Sequence, residues 1–196
     1  MTLSNRCRII FALFSCLRLQ SILLLELDVR FNAEIAISPL PDRAQVEAWL
    51  EEDFSAWTSV CGVGVDDIAS VETIDHFPGQ VFRLSDPFSK SEPCGSDFVP
   101  SSRLFLEQSD ALLRSVLLKA VRHVVENYLS EEKQVVFCHM GKSRSPLVAV
   151  SALYVVHSYD PRALWAHYVE NFNADPATEL GMAALCWVKE NCRINP

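Results

Sequence analysis

The chain has 196 residues, 49% of them hydrophobic and 21% charged, a profile that excludes intrinsic disorder, a collagen-like repeat and a disulfide-stapled miniprotein. With 17 basic against 25 acidic residues the net charge is −8, which builds none of the basic field that a phosphate backbone requires, so nucleic acid is not an expected partner. Seven cysteines, at positions 7, 16, 61, 94, 138, 186 and 192, include no C-x-x-C pair; this argues against a zinc site or a disulfide framework and for a reducing, cytoplasmic compartment.

Arg6 and Arg8 precede an apolar run over residues 9–17, which Arg18 and Gln20 interrupt. A bilayer span needs about 20 apolar residues, and no convincing small-residue cleavage site follows the run. Residues 1–30 are therefore read as an N-terminal extension, either an amphipathic helix or the product of an upstream start codon, with no membrane span. Residues 31–196 are the expected domain, where strand and helix patterns alternate as in an α/β protein.

Ala33 to Ser38 predicts a short strand, and Pro41-Asp42 opens a helix carrying Val46, Trp49 and Leu50. Trp57 to Val65 predicts a buried strand. Val81 to Leu84 predicts a third, which delivers the chain into Ser85-Asp86-Pro87-Phe88, where the proline forces a turn. Ser89 to Arg103, rich in serine and proline, reads as a surface loop. From Ser109 the pairs Leu112/Leu113, Val116/Leu117, Ala120/Val121 and Val124/Val125 recur every four residues, one apolar face of a helix that ends near Leu129. Gln134 to Phe137 predicts a strand, and Ser145 to Tyr159 a largely apolar helix. Asp160-Pro161 and Asp175-Pro176 each pair a cap residue with a proline suited to the first helical position, so two further helices complete a helical layer.

Between the last predicted strand and the apolar helix lies Cys138-His139-Met140-Gly141-Lys142-Ser143-Arg144-Ser145. The backbone N–H groups of His139, Met140, Gly141, Lys142, Ser143 and Arg144, bent round the glycine above a helix N-terminus, form a nest for a tetrahedral oxyanion such as phosphate. Arg144 can pair two N–H donors with two phosphate oxygens, a planar match that lysine would not reproduce. Cys138 would sit below the phosphorus. The dipole and guanidinium that attract phosphate also favour thiolate over thiol, and Ser145 can donate a hydrogen bond to that sulfur.

This C-x5-R pattern followed by serine, after a strand and before a helix, resembles the signature loop of the cysteine-based protein tyrosine phosphatases, above all their compact dual-specificity branch. Element order matches from Ala33 to Asn191, while the specific part of the likeness is Val135 to Pro146. The resemblance implies an α/β fold, a central mostly parallel sheet flanked by helices. It also implies a metal-independent, cofactor-free hydrolase in which Cys138 attacks a phosphate monoester to form a phosphocysteine that water then cleaves. The expected partner is a phosphorylated protein or a small phosphate ester. These enzymes take a proton donor from a loop after an earlier strand; Asp86 fits that position, with an insertion over Ser89 to Ser109, and Asp97 is the alternative. Asp110 reads instead as a helix N-terminal charge. One departure is plain: the family usually has histidine before the cysteine, and this chain has Phe137.

Other classes fit less well. A nucleotide-binding G-x-x-x-x-G-K-[ST] loop ending at Gly141-Lys142-Ser143 would need glycine where Val136 stands. The Arg144-Ser145 ending favours phosphate over the sulfane sulfur of a rhodanese. A pseudophosphatase that binds a phosphorylated ligand, and a phosphoinositide phosphatase using Lys142 for added positive potential, stay open as alternatives. His76, His123, His157 and His167 show no metal-like spacing. Cys94 or Cys61 is a candidate resolving thiol for an oxidised Cys138.

Overall fold

The computed structural model describes residues 34–68, 77–172 and 174–193. The expected extension at residues 1–30 and His76 lie outside the described residues.

Four strands, β1 (Glu34–Ser38), β2 (Ala56–Ser59), β3 (Gly79–Val81) and β4 (Lys133–Phe137), form one sheet in the order β1-β4-β2-β3, and every pairing is parallel. Such a sheet is buried on both faces. The described helices are α1 (Arg43–Glu51), α2 (Ser102–Gln108), α3 (Ala111–Leu129), α4 (Arg144–His157), α5 (Pro161–Phe172) and α6 (Glu179–Asn191). None of the described helices is long and apolar enough to cross a membrane.

Strand alternation sorts the two faces. The Gln134 amide donates to the Val124 carbonyl of α3 at 2.9 Å, so Gln134 and Val136 face α3 and α4. Phe137 faces the other way, its ring centroid 6.1 Å from that of Trp49 on α1 and 6.0 Å from that of Trp57 on β2. Helix α4 is the inner element of the helical side: Ser145 to Leu153 are all buried, as its nearly continuous apolar sequence requires. Each Leu or Val so buried contributes about 1.5–3 kcal/mol of apolar transfer.

The register positions the site. Ser38 pairs with Phe137, and Ser59 pairs with Phe137 from the other side, so β1, β4 and β2 end in one row. Ligands of open parallel sheets bind just outside such a row of carboxyl ends.

Several sequence expectations shift. The strand expected over Trp57 to Val65 ends at Ser59, because Gly62 turns the chain at φ +83° and residues Val65–Asp67 form a 3-10 turn. The strand expected over Val81 to Leu84 starts at Gly79; its far end stays hydrogen-bonded through Phe82 N–H to the Ser59 carbonyl (2.7 Å) and Leu84 N–H to the Val60 carbonyl (3.3 Å). The expected loop after Ser89 holds a 3-10 turn over Phe88–Lys90, and α2 begins at Ser102 behind a Ser101 cap. Asp175-Pro176 does not start the last helix: Thr178 caps α6, its hydroxyl accepting from Gly181 N–H at 3.1 Å. Asp110 caps α3, accepting from Leu113 N–H at 2.7 Å, and Asp160 accepts from Arg162 N–H at 3.0 Å at the start of α5.

Candidate active site

The chain leaves β4 at Phe137 and runs through Cys138 to Ser143 before α4 begins. The Cys138 N–H donates to the Ser38 carbonyl at 3.3 Å, which fastens the loop's first residue to the end of β1. Gly141 takes φ +68°, and a Cβ there would lie 2.7 Å from the Pro39 nitrogen, so the loop is seated against the β1–α1 turn in a conformation and a space that require glycine. Two loop carbonyls are held by neighbours: that of His139 accepts from Leu40 N–H at 3.3 Å, and that of Lys142 from Asp175 N–H at 3.1 Å. In a trans peptide the N–H opposes the carbonyl, so the Met140 and Ser143 amides point away from these flanking segments. Asp175 thus serves the loop instead of capping a helix.

Cys138 is buried, its Sγ 3.3 Å from the Oγ of buried Ser145. Arg144 opens α4. Its Nη1 donates to the Leu84 carbonyl at 3.1 Å, which fixes the guanidinium plane, while Nε lies 3.6 Å from Asp86 Oδ2 and has no hydrogen-bond partner although it is buried. Asp86 Oδ1 accepts from the Ser143 hydroxyl at 3.0 Å and from Ser89 N–H at 3.1 Å. The structure therefore brings Cys138, Ser143, Arg144, Ser145 and Asp86 together. Asp97 is exposed and accepts from the Ser96 hydroxyl, in a loop whose Ser96 and Phe98 carbonyls are held by Arg162. His139 and Met140 are exposed at the rim, and Lys142 is half-buried. Beside Asp86 an open groove of about 430 Å³ is lined by Ser85, Pro87, Lys90, Gln108, Asp110 and Leu113.

No protein-family model and no curated protein matches the chain. Solved structures do. The Yvh1 phosphatase domain from Chaetomium thermophilum is 16% identical with a TM-score of 0.56, over 85% of this chain and 95% of that one. PTPMT1 is 13% identical with a TM-score of 0.55, over 80% and 90%. TpbA from P. aeruginosa is 12% identical with a TM-score of 0.52, over 79% and 83%. The chain has the protein tyrosine phosphatase fold.

Within that phosphatase fold Phe137 has a physical explanation. Its side chain is buried among Trp49 and Trp57, surroundings that suit a phenyl ring and place aromatic walls where a histidine would need polar partners. Two contacts were beyond sequence reading, the Leu84 carbonyl that anchors Arg144 and the Ser143 hydroxyl on Asp86. Both arise because the segment after β3 and the loop after β4 meet beyond the carboxyl ends of the parallel strands, which no local pattern reports. The two thiols named as possible resolving partners of Cys138 are engaged elsewhere: Cys61 Sγ lies 3.6 Å from the Ser59 hydroxyl, and Cys94 Sγ donates to the Gly95 carbonyl at 3.8 Å. Burial pushes the Cys94 thiol up, against the lowering effect of Arg162, which makes it a poor attacking thiolate. Among the described residues no cluster of His, Cys, Asp and Glu could hold a metal ion.

Proposed function

We propose that the protein hydrolyses phosphate monoesters through a phosphocysteine on Cys138, as a protein tyrosine or dual-specificity phosphatase. The observation that carries this reading is the buried Arg144 Nε, which has no hydrogen-bond partner on a guanidinium whose Nη1 is already anchored at Leu84, next to a thiol that faces Ser145. A guanidinium fixed in this way has Nε and Nη2 left to pair with two oxygens of a phosphate, while the amides of His139, Met140, Gly141, Lys142 and Ser143 and the N-terminus of α4 neutralise the rest of its charge.

In the first step the Cys138 thiolate forms the S–P bond as the ester P–O bond breaks, and Asp86 gives its proton to the departing oxygen. In the second step water attacks the phosphorus, its proton passes to Asp86, and the S–P bond breaks. Ser145 donates a hydrogen bond to the sulfur as negative charge returns to it. A reducing, cytoplasmic compartment would keep the nucleophile a free thiol. A phosphoinositide substrate is the second reading, favoured by Lys142 in the loop and by the likeness to PTPMT1, which has been solved in complex with PI(5)P at a TM-score of 0.52.

Hydrolysis of p-nitrophenyl phosphate tests the reading. We expect turnover that is abolished in Cys138→Ser, inhibited by vanadate and indifferent to EDTA. Activity that survives Cys138→Ser overturns it, and inert protein that still binds a phosphopeptide through Arg144 makes this a binding module. A panel of phosphopeptides and phosphoinositides then separates the substrate classes.

A further inference from the structure

Ser143 stands at the N-cap of α4, yet its hydroxyl makes no capping bond. Serine in this position ordinarily accepts a hydrogen bond from the second or third N–H of its own helix. Here the hydroxyl donates across the fold, at 3.0 Å, to Asp86 Oδ1. Two consequences follow from that one diversion. The first N–H groups of α4 receive no bond from the Ser143 side chain, and an anion can use them. The carboxylate, which sits on a different segment after β3, is tethered to the loop that carries Cys138.

The two oxygens of Asp86 are also made unequal. Oδ1 accepts both the Ser143 hydroxyl and Ser89 N–H, whereas Oδ2 faces Arg144 Nε at 3.6 Å. With Oδ1 occupied by two donors, the proton of the neutral acid belongs on Oδ2, the oxygen on the side where Arg144 would hold phosphate. We infer that the Ser143 hydroxyl is a positioning residue for the acid: it holds Asp86 against the phosphate loop and directs the Oδ2 proton to the leaving oxygen. This rests on the phosphatase reading above and adds a side-chain role to a residue whose backbone amide lines the loop.

The test compares Ser143→Ala and Ser143→Thr with the wild type on two esters. Phenyl phosphate has a leaving group whose conjugate acid has a pKa of about 10, as for a tyrosine side chain, and needs the proton; p-nitrophenyl phosphate leaves far more readily without it. We expect Ser143→Ala to lower the ratio of kcat on phenyl phosphate to kcat on p-nitrophenyl phosphate by about tenfold to a hundredfold, the worth of a hydrogen bond to a charged group. Ser143→Thr, which keeps a hydroxyl, should restore it. Rates that fall in step on both esters, leaving the ratio at its wild-type value, overturn the inference and reduce Ser143 to a shaper of the loop. Amide hydrogen exchange gives an answer independent of turnover: residues 85–91, which include the Ser89 N–H, should exchange faster in Ser143→Ala while residues 133–137 do not. If the wild type hydrolyses neither ester, the phosphatase reading fails by itself, and equal exchange in wild type and Ser143→Ala would then also remove the tether.

Discussion

Phe137→His introduces the residue usual before the cysteine in the phosphatases that this loop resembles, and here it should do harm. The side chain is fully buried, with Trp49 and Trp57 ring centroids at 6.1 and 6.0 Å. A neutral imidazole brings one donor and one acceptor. Trp49 Nε1, buried and without a hydrogen-bond partner, could serve the acceptor. The donor would stay unpaired, at about 1–3 kcal/mol, and the lost apolar burial and weaker aromatic pairing add about 1 kcal/mol. The expected destabilisation is about 2–4 kcal/mol, which at an m-value of about 2 kcal/mol per molar in urea lowers the midpoint by about 1–2 M. Trp49 and Trp57 flank the position, so tryptophan fluorescence reports the transition. The pH dependence gives a second signature. The buried ring resists protonation in the folded state, while the unfolded histidine takes a proton below about pH 6.5. The unfolded state then binds more protons, so the deficit should widen as pH falls from 7 to 5 and be smallest above 7. A midpoint equal to that of the wild type, or a deficit that shrinks in acid, would refute the reasoning.

Asp86→Asn should lower kcat on phosphate esters with poor leaving groups by about two to four decades and leave KM nearly constant, since asparagine can still accept from Ser143 but has no proton to give; an unchanged kcat would move the role to Asp97. Gly141→Ala places a Cβ 2.7 Å from the Pro39 nitrogen at φ +68°. The left-handed conformation costs about 1–2 kcal/mol for alanine and the clash adds to it. A lower melting temperature and weaker vanadate inhibition are expected, and a variant that binds vanadate like the wild type would show that the loop tolerates the shift.

How much of this could be read from the letters depended on whether the cause was local. The strand before Cys138 and the helix after it are adjacent apolar runs, and Asp110 and Asp160 are cap residues acting within a few positions of themselves. Those features were legible. The last helix starts later than Asp175-Pro176 suggests, because Asp-Pro is equally good turn chemistry and a tertiary bond, Asp175 N–H to the Lys142 carbonyl, claims the residue. The strand at Trp57 is shorter than its apolar run, since that run continues in packing past Ser59 after the ladder has stopped. Cys138, Arg144 and Ser145 lie within eight consecutive residues, across one loop and the first turn of α4, and can be named together. Asp86 could only be guessed from its place at a strand end. Its company, the Ser143 hydroxyl and the far side of Arg144, is set by the parallel register that brings β3, β2 and β4 into line.

The loop after β4 is fastened at three points, by Ser38 to Cys138 N–H, by Leu40 to the His139 carbonyl and by Asp175 to the Lys142 carbonyl. Segments so fastened surrender their conformational freedom once, when the chain folds, and not again at each encounter with a ligand. Inorganic phosphate and its tetrahedral mimics should therefore meet a mould already cast, and their association should proceed with little reordering of the backbone.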